Sequence, residues 1–151
     1  MAEAAVADRI RESFPGIVPA AAWGETAFFY NPGTVLPRGV YFATIKTRDG
    51  ENDRASRLDR PGVYRLAFGI GQKAYRAEFG RLPSRPAAAG IVDTGHDFAV
   101  LDTLLPHPVY AWMGWVCVLN PGAATFERIQ PLLAQAHGLA VSRFRKRAQV
   151  T

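Results

Sequence analysis

Residues 112–120, WMGWVCVLN, are a run of apolar and β-forming residues fenced by Pro108 on one side and Pro121 on the other. Proline fixes φ and lacks a backbone donor, while branched and aromatic side chains suit a pleated surface, so the run predicts the last strand of the chain. Strand alternation then puts Trp112, Gly114, Val116 and Val118 on one face, and Met113, Trp115, Cys117 and Leu119 on the other. Trp112 and Trp115 point to opposite faces on this reading, unless a bulge at Gly114 intervenes. One indole belongs to the core, and the other faces a helix, a ligand or a partner.

The rest of the chain supplies elements for that strand to join. Val6, Ile10 and Phe14 recur every four residues over 2–14, which predicts a helix stopped by Pro15 and Gly16. ETAFFYNPG and VYFATIKTR (25–33 and 40–48) read as two strands of a hairpin, with Val40, Phe42, Thr44 and Lys46 sharing one face of the second. The charge-rich stretch 49–62 predicts a solvated loop, 63–68 a third strand, and 73–79 a short helix ended by Gly80. Residues 81–90, RLPSRPAAAG, show no periodicity and are expected to be the most mobile segment. HDFAVLDTLLPHP predicts a short strand or turn and then a helical turn ended by Pro106 and Pro108. A final helix is predicted over 123–145, with Pro131 forcing a kink or a short first segment. Strands adjacent in sequence with helices at the two ends predict an α+β fold: a two-layer sandwich in which N-terminal and C-terminal helices cover a largely antiparallel sheet. A single domain over 1–151 is expected.

Composition narrows the function classes. With 48% hydrophobic and 21% charged residues the chain is of globular type. One cysteine excludes an internal disulfide, and the acidic residues of the first segment do not suit a signal peptide, so a cytoplasmic location is expected. No run approaches the ~20 apolar residues of a membrane span. The formal charge is +5, but Arg143, Arg145, Lys146 and Arg147 supply four of the eighteen basic residues within five positions, and the remainder carries only +1. These four are the candidate phosphate contacts; their alternative role is to interact with the carbonyl end of a helix.

Several motifs invite a sharper reading. GIGQKA (69–74) matches a dinucleotide-binding pattern, with Asp93 about twenty residues on, yet two prolines interrupt the connection and no repeated βαβ order follows. A tight strand-to-helix turn at Gly69 and Gly71 is the simpler account. His96, His107 and His137 show no metal-ligand spacing, so no metal or other cofactor is expected. His107, between prolines, suits a turn cap. His137 suits a packed or surface imidazole, and Cys117 a buried strand position. Asp97 and Asp102 suit caps.

DRPGVYRLAFGIG, PHPVY followed by WVCVLNP, and TFERIQPLLAQAHGLAVSRF resemble an uncharacterised bacterial family whose members share these segments before a C-terminal helix. More distantly, a Trp-bearing strand, a turn and a C-terminal helix with a pattern like AQAHGLAV resemble the MmcQ/YjbR-like proteins. That resemblance implies their compact double-wing, CyaY-like sandwich, and DNA binding as proposed for some of them. The chain departs from a DNA binder in its nearly neutral body, which lacks an interleaved basic and aromatic strip.

The expected function is that of a small binding or interaction domain, with enzymatic activity and a homodimer both left open. Arg60, Arg65, His107, Tyr110 and Trp112, with Trp115 on the opposite face, form the candidate surface for a small anionic ligand or a protein partner. Weak nucleic-acid binding through the basic end, and catalysis through His107 and Cys117, are the alternatives.

Overall fold

A computed structural model describes residues 1–22 and 24–150. Thr151, the last position of the basic end, lies outside the described residues. The elements are α1 (Glu3–Ser13), β1 (Ile17–Ala22), β2 (Glu25–Tyr30), β3 (Val40–Lys46), β4 (Arg65–Gly69), α2 (Gly71–Phe79), β5 (Leu104–Pro106), β6 (Trp115–Leu119), α3 (Ala123–Arg128) and α4 (Gln130–Val150). The strands form one sheet in the order β1-β2-β3-β4-β6-β5, and every pairing is antiparallel. With helices at both ends of the chain, the fold is α+β.

Helix α1 buries Val6 and Ile10, two of the residues whose spacing predicts it. Helix α4 lies across β3 and β2 and brings Leu133, Ala136, Ala140 and Phe144 into the same cluster as Phe28, Phe42, Leu66, Phe68, Val116 and Val118. Burying each large apolar side chain of this set contributes about 1.5–3 kcal/mol, so this helix-covered face is the main source of stability. The C-terminal helix is broken as Pro131 demands: α3 ends at Arg128, Ile129 intervenes, and Pro131 falls in the first turn of α4, where a missing N–H costs least.

One strand goes unpredicted, and several expectations are corrected. Strand β1 reads poorly because IVPAAA is small-residue and proline-containing; it is an edge strand, the place in a sheet where Pro19 is tolerated. Residues 104–106 are not a helical turn but the edge strand β5, paired to β6 with Leu105 opposite Cys117. In β3 the alternation breaks at a bulge: Phe28 pairs with Ala43 and Phe29 with Tyr41, which leaves Phe42 as the extra residue. Val40, Phe42, Ala43 and Ile45 consequently all join the helix-side core. The last strand begins only at Trp115, because Ala111–Met113 is a 3₁₀ turn closed by Gly114 at φ +83°. From Trp115 onward the expected alternation holds, with Val116 and Val118 in the helix-side core and Cys117 and Leu119 on the opposite face.

That opposite face carries a smaller apolar cluster of Leu58, Val63, Ala67, Leu105, Cys117 and Leu119. Residues 49–62 help to cover it. They are therefore not simply a solvated loop, since Ser56 and Leu58 are buried. Among the described residues no helix is long and apolar enough to cross a membrane.

Candidate functional site

The bulge in β3 decides which side chains meet on the helix-free face. Beyond it, Thr44 and Lys46 fall on the same side as Tyr41, and Lys46 pairs across the ladder with Arg65 of β4. The loop after β3 turns back through a bridge between Gly50 and Asp53, which delivers the Asp53 carboxylate to both cations. Arg65 Nη1 donates to Asp53 Oδ1 at 2.9 Å and to Ser56 Oγ at 3.0 Å, Nη2 donates to Asp53 Oδ2, and Lys46 Nζ stands 3.1 Å from the same oxygen. Arg65 is only 2% exposed, and its Nε is sealed without a protein partner. Burial pushes the Asp53 carboxyl up, but hydrogen bonds and charge from Arg65, helped by Lys46, outweigh it and hold the group far below the usual carboxylate range.

His107 closes the other side of this floor. It is 3% exposed, and its Nδ1 accepts from the backbone N–H of Val109 and of Tyr110, each at 3.1 Å. This is the turn cap the flanking prolines suggest. Two donors at Nδ1 leave the ring proton on Nε2, and Nε2 has no hydrogen-bond partner among the described residues, nor is it sealed like Arg65 Nε. Burial, then the charge of Arg65, hold the imidazole well below its ordinary pKa, so the ring is neutral. Tyr110 and Trp115 flank it, with ring centroids 5.1 and 6.5 Å away.

Trp115 lies over β4 at Gly69, where a Cβ would come within 2.9 Å of the indole. Gly69 therefore serves to clear the indole. Gly71 does make the strand-to-helix turn, at φ +85°. The N–H groups of Ile70 and Gly71 both donate to Gly114 O, at 2.9 and 3.2 Å, so the turn of GIGQKA is closed by backbone rather than open to a phosphate. Gly114 packs against it so closely that a Cβ would sit 2.5 Å from the Gly71 carbonyl carbon.

These groups line a recess of about 550 Å³ on the helix-free face. Arg65, His107 and Lys46 lie toward its floor with Asp53, and Glu25, Tyr41, Thr44, Glu51, Tyr110, Met113 and Trp115 are among its other lining residues. Of the residues expected from sequence, Arg65, His107, Tyr110 and Trp115 converge here. Arg60 does not: its guanidinium donates to the carbonyls of Ser56, Arg57 and Ala99 and ties the loop to the segment before β5. Trp112 does not either. It packs against the helix-side core, with Arg85 stacked 4.9 Å from its ring and its Nε1 donating to Val109 O. The two indoles do lie on opposite sides of the sheet, but the 3₁₀ turn and Gly114 achieve this, not strand alternation. Lys46, Asp53, Glu25 and Tyr41 were not expected. Only the bulge and the loop fold, neither visible in composition, bring them in.

The other candidates go to structural places. Cys117 is buried, donates to Pro106 O at 3.7 Å, and has its thiol pushed up to about 12 by burial. His137 packs among Phe14, Tyr30 and Phe42 with Nε2 near Pro15 O. Asp102 Oδ1 accepts from the N–H of Gly122, the residue that opens α3, and Asp97 Oδ1 from Ala99 N–H. Arg143, Arg145, Lys146 and Arg147 are all exposed on the last two turns of α4, where the helical repeat keeps Arg143, Lys146 and Arg147 within about 100° of one another and turns Arg145 to the other side. Arg147 donates to Gly39 O. Among the described residues no three His, Cys, Asp or Glu side chains gather as a metal site.

An antiparallel sheet with helices on one face, and on the other an amphipathic recess floored by an Asp–Arg–Lys cluster, places the protein among α+β proteins with a ligand-sized cleft. The chain belongs to DUF6194, a family of unknown function whose model matches residues 1–149. No curated protein matches the chain. No solved structure matches it either.

Proposed function

We propose that the protein is a small-molecule-binding domain whose ligand sits in the recess between Tyr41, Tyr110 and Trp115. The observation that carries this reading is His107: a 3% exposed imidazole, fixed by two backbone N–H groups, with its remaining N–H offered to the recess and no protein acceptor for it. Because Nε2 is not sealed, solvent can serve it in the free protein, and a ligand oxygen at this position takes the place of that solvent. The volume suits a small molecule, since such sites span about 300–1,000 Å³.

Binding rather than catalysis fits the same geometry. A general base needs a free lone pair facing the substrate, and the lone pair of His107 faces Val109 and Tyr110 instead. Cys117, the other reactive candidate, is buried with its sulfur against Pro106 O. A distant kinship with the MmcQ/YjbR-like proteins belongs to this reading on the order of elements alone. The DNA binding proposed for some of them does not, because the basic residues sit at one helix end apart from the recess, and Arg147 is engaged with Gly39.

His107→Asn is the decisive variant, because an Asn oxygen can still accept from Val109 and Tyr110 while the Nε2 donor is gone. A metabolite library screened by melting temperature and Trp fluorescence should yield compounds that stabilise the native protein and lose that effect with H107N. A library without such a compound, or one whose hits bind H107N and Tyr110→Ala unchanged, would overturn the reading.

A further inference from the structure

The geometry points to a ligand class: we infer that the recess takes a monocationic or zwitterionic small molecule, an amine on an apolar or aromatic body with one hydrogen-bond acceptor, rather than an anion. This deepens the binding reading above and rests on it. Its basis is an inventory of which charges in the recess are free.

Both cations are engaged. Arg65 and Lys46 converge on one carboxylate, Asp53, and neither turns an unpaired positive charge toward the opening. The two remaining carboxylates are not engaged: Glu25 and Glu51 line the recess, and neither has a hydrogen bond or an ion pair with any described residue. Glu25 stands close enough to Arg65 for their charges to interact, so it belongs to the floor's electrostatic environment and not to a distant rim. With His107 neutral, three carboxylates face two cations, and the lining carries a net formal charge of −1. An incoming anion meets that excess, whereas an amine finds two carboxylates waiting.

Two further features agree with an amine. Tyr41, Tyr110 and Trp115 line the opening, and aromatic faces attract cations through their quadrupole. His107 Nε2–H then fixes the other end of the molecule by demanding an acceptor, such as a phenol, carbonyl or carboxylate oxygen. Free acids alone would not define a site. The His107 ring beside them, 3% exposed and with an Nε2 donor that no described residue engages, is the independent feature that does.

The test is a matched series with one ring and three charges: tyramine, L-tyrosine and 4-hydroxyphenylacetate, titrated calorimetrically into the whole chain. Tyramine is expected to bind at least about tenfold more tightly than 4-hydroxyphenylacetate, with L-tyrosine between them or equal to tyramine. In the Glu25→Gln/Glu51→Gln variant that gap should collapse to less than about threefold, a change of one Coulombic preference. Because neither glutamate makes a hydrogen bond or a close ion pair with a described residue, this variant should keep a melting temperature near the native one, which checks that the fold is intact. Equal or tighter binding of 4-hydroxyphenylacetate, or a gap that survives the double substitution, overturns the amine class. If that anion's binding is abolished by H107N, the recess remains a ligand site and only its charge preference falls. If none of the three binds at millimolar concentration, the amine class is rejected, and a silent metabolite library then rejects the site itself.

Discussion

Arg65 and Asp53 are joined by two parallel N–H···O contacts on the helix-free face, Arg65 from the middle of the sheet and Asp53 from the loop that folds back over it. The pair fastens residues 49–62 to β4, and so sets one wall of the recess. A two-point guanidinium–carboxylate contact fixes orientation as well as distance, which a lysine in place of Arg65 would not reproduce.

Removing one partner should therefore cost more than the pair contributes. Asp53→Ala leaves a guanidinium that is 2% exposed with no counterion except the more distant glutamate, and a loss of about 3 kcal/mol is expected for breaking a pair this buried. Urea denaturation should show a lower midpoint with an unchanged slope. The double variant Asp53→Leu/Arg65→Met should recover most of that loss, because no unpaired charge remains. A loss under about 1 kcal/mol for D53A would show that water already screens the pair.

The same cluster predicts two separate acid windows. The folded Asp53 carboxyl lies below its ordinary 3.8, so its contribution is complete above that pH and is lost only as pH falls beneath it. The folded His107 imidazole lies well below its ordinary 6.5, so the unfolded chain takes up a proton first as pH falls, and stability declines from about pH 6.5 downward. The slope for one such group is at most about 1.4 kcal/mol per pH unit. Just below pH 6.5, H107N should show a slope shallower than the native protein, by at most one proton's worth. Equal slopes would mean that the folded imidazole is protonated as easily as the unfolded one.

How far the sequence reaches is visible in particular residues. The periodic spacing of Val6 and Ile10, and the alternation of Val116, Cys117, Val118 and Leu119, report local geometry and carry straight into the fold. Pro131 announces the break between α3 and α4 for the same local reason. Tyr41 and Lys46 do not announce themselves as neighbours in a cleft, because a bulge that exists only against β2 sets their common side. Asp53 is one acid among many in a charged loop until Arg65 is placed beside it. Four residues of the recess were legible since they are polar or aromatic groups amid β-forming sequence; Arg60 and Trp112 share that description and are used elsewhere, which only tertiary contacts reveal.

Glycines 114 and 138 should respond in opposite directions to alanine. At Gly114 the backbone is left-handed, φ +83°, and a Cβ would lie 2.5 Å from the backbone of Gly71, so Gly114→Ala must both strain φ and push the α2 turn away from the edge of β6. A loss of about 2–4 kcal/mol is expected, from strain and overpacking together. Gly138 lies within α4 with nothing near its Cβ position. Gly138→Ala should stabilise by about 0.5–1 kcal/mol through helix propensity. Thermal unfolding of the two variants in parallel checks both signs, and a neutral G114A would show that the turn over GIGQKA is not closed as tightly as the contact to Gly71 implies.

Cys117 offers a clock for opening of the sheet. Its thiol is buried in β6 between Ala67 and Leu105 in the ladder, and burial raises it from an ordinary 9.0 to about 12, so the native thiolate is about a thousandfold scarcer than in the unfolded chain. At pH 8 the native protein should react with an aromatic disulfide reagent only through transient opening, while the denatured chain reacts at once. When reclosing outpaces labelling, the labelling rate follows the equilibrium population of the open form. D53A, destabilised by about 3 kcal/mol, should then label about a hundredfold faster than the native chain, although Asp53 does not touch Cys117. Prompt labelling of the native protein would return Cys117 to the list of reactive groups and would contradict the placement of its sulfur against Pro106.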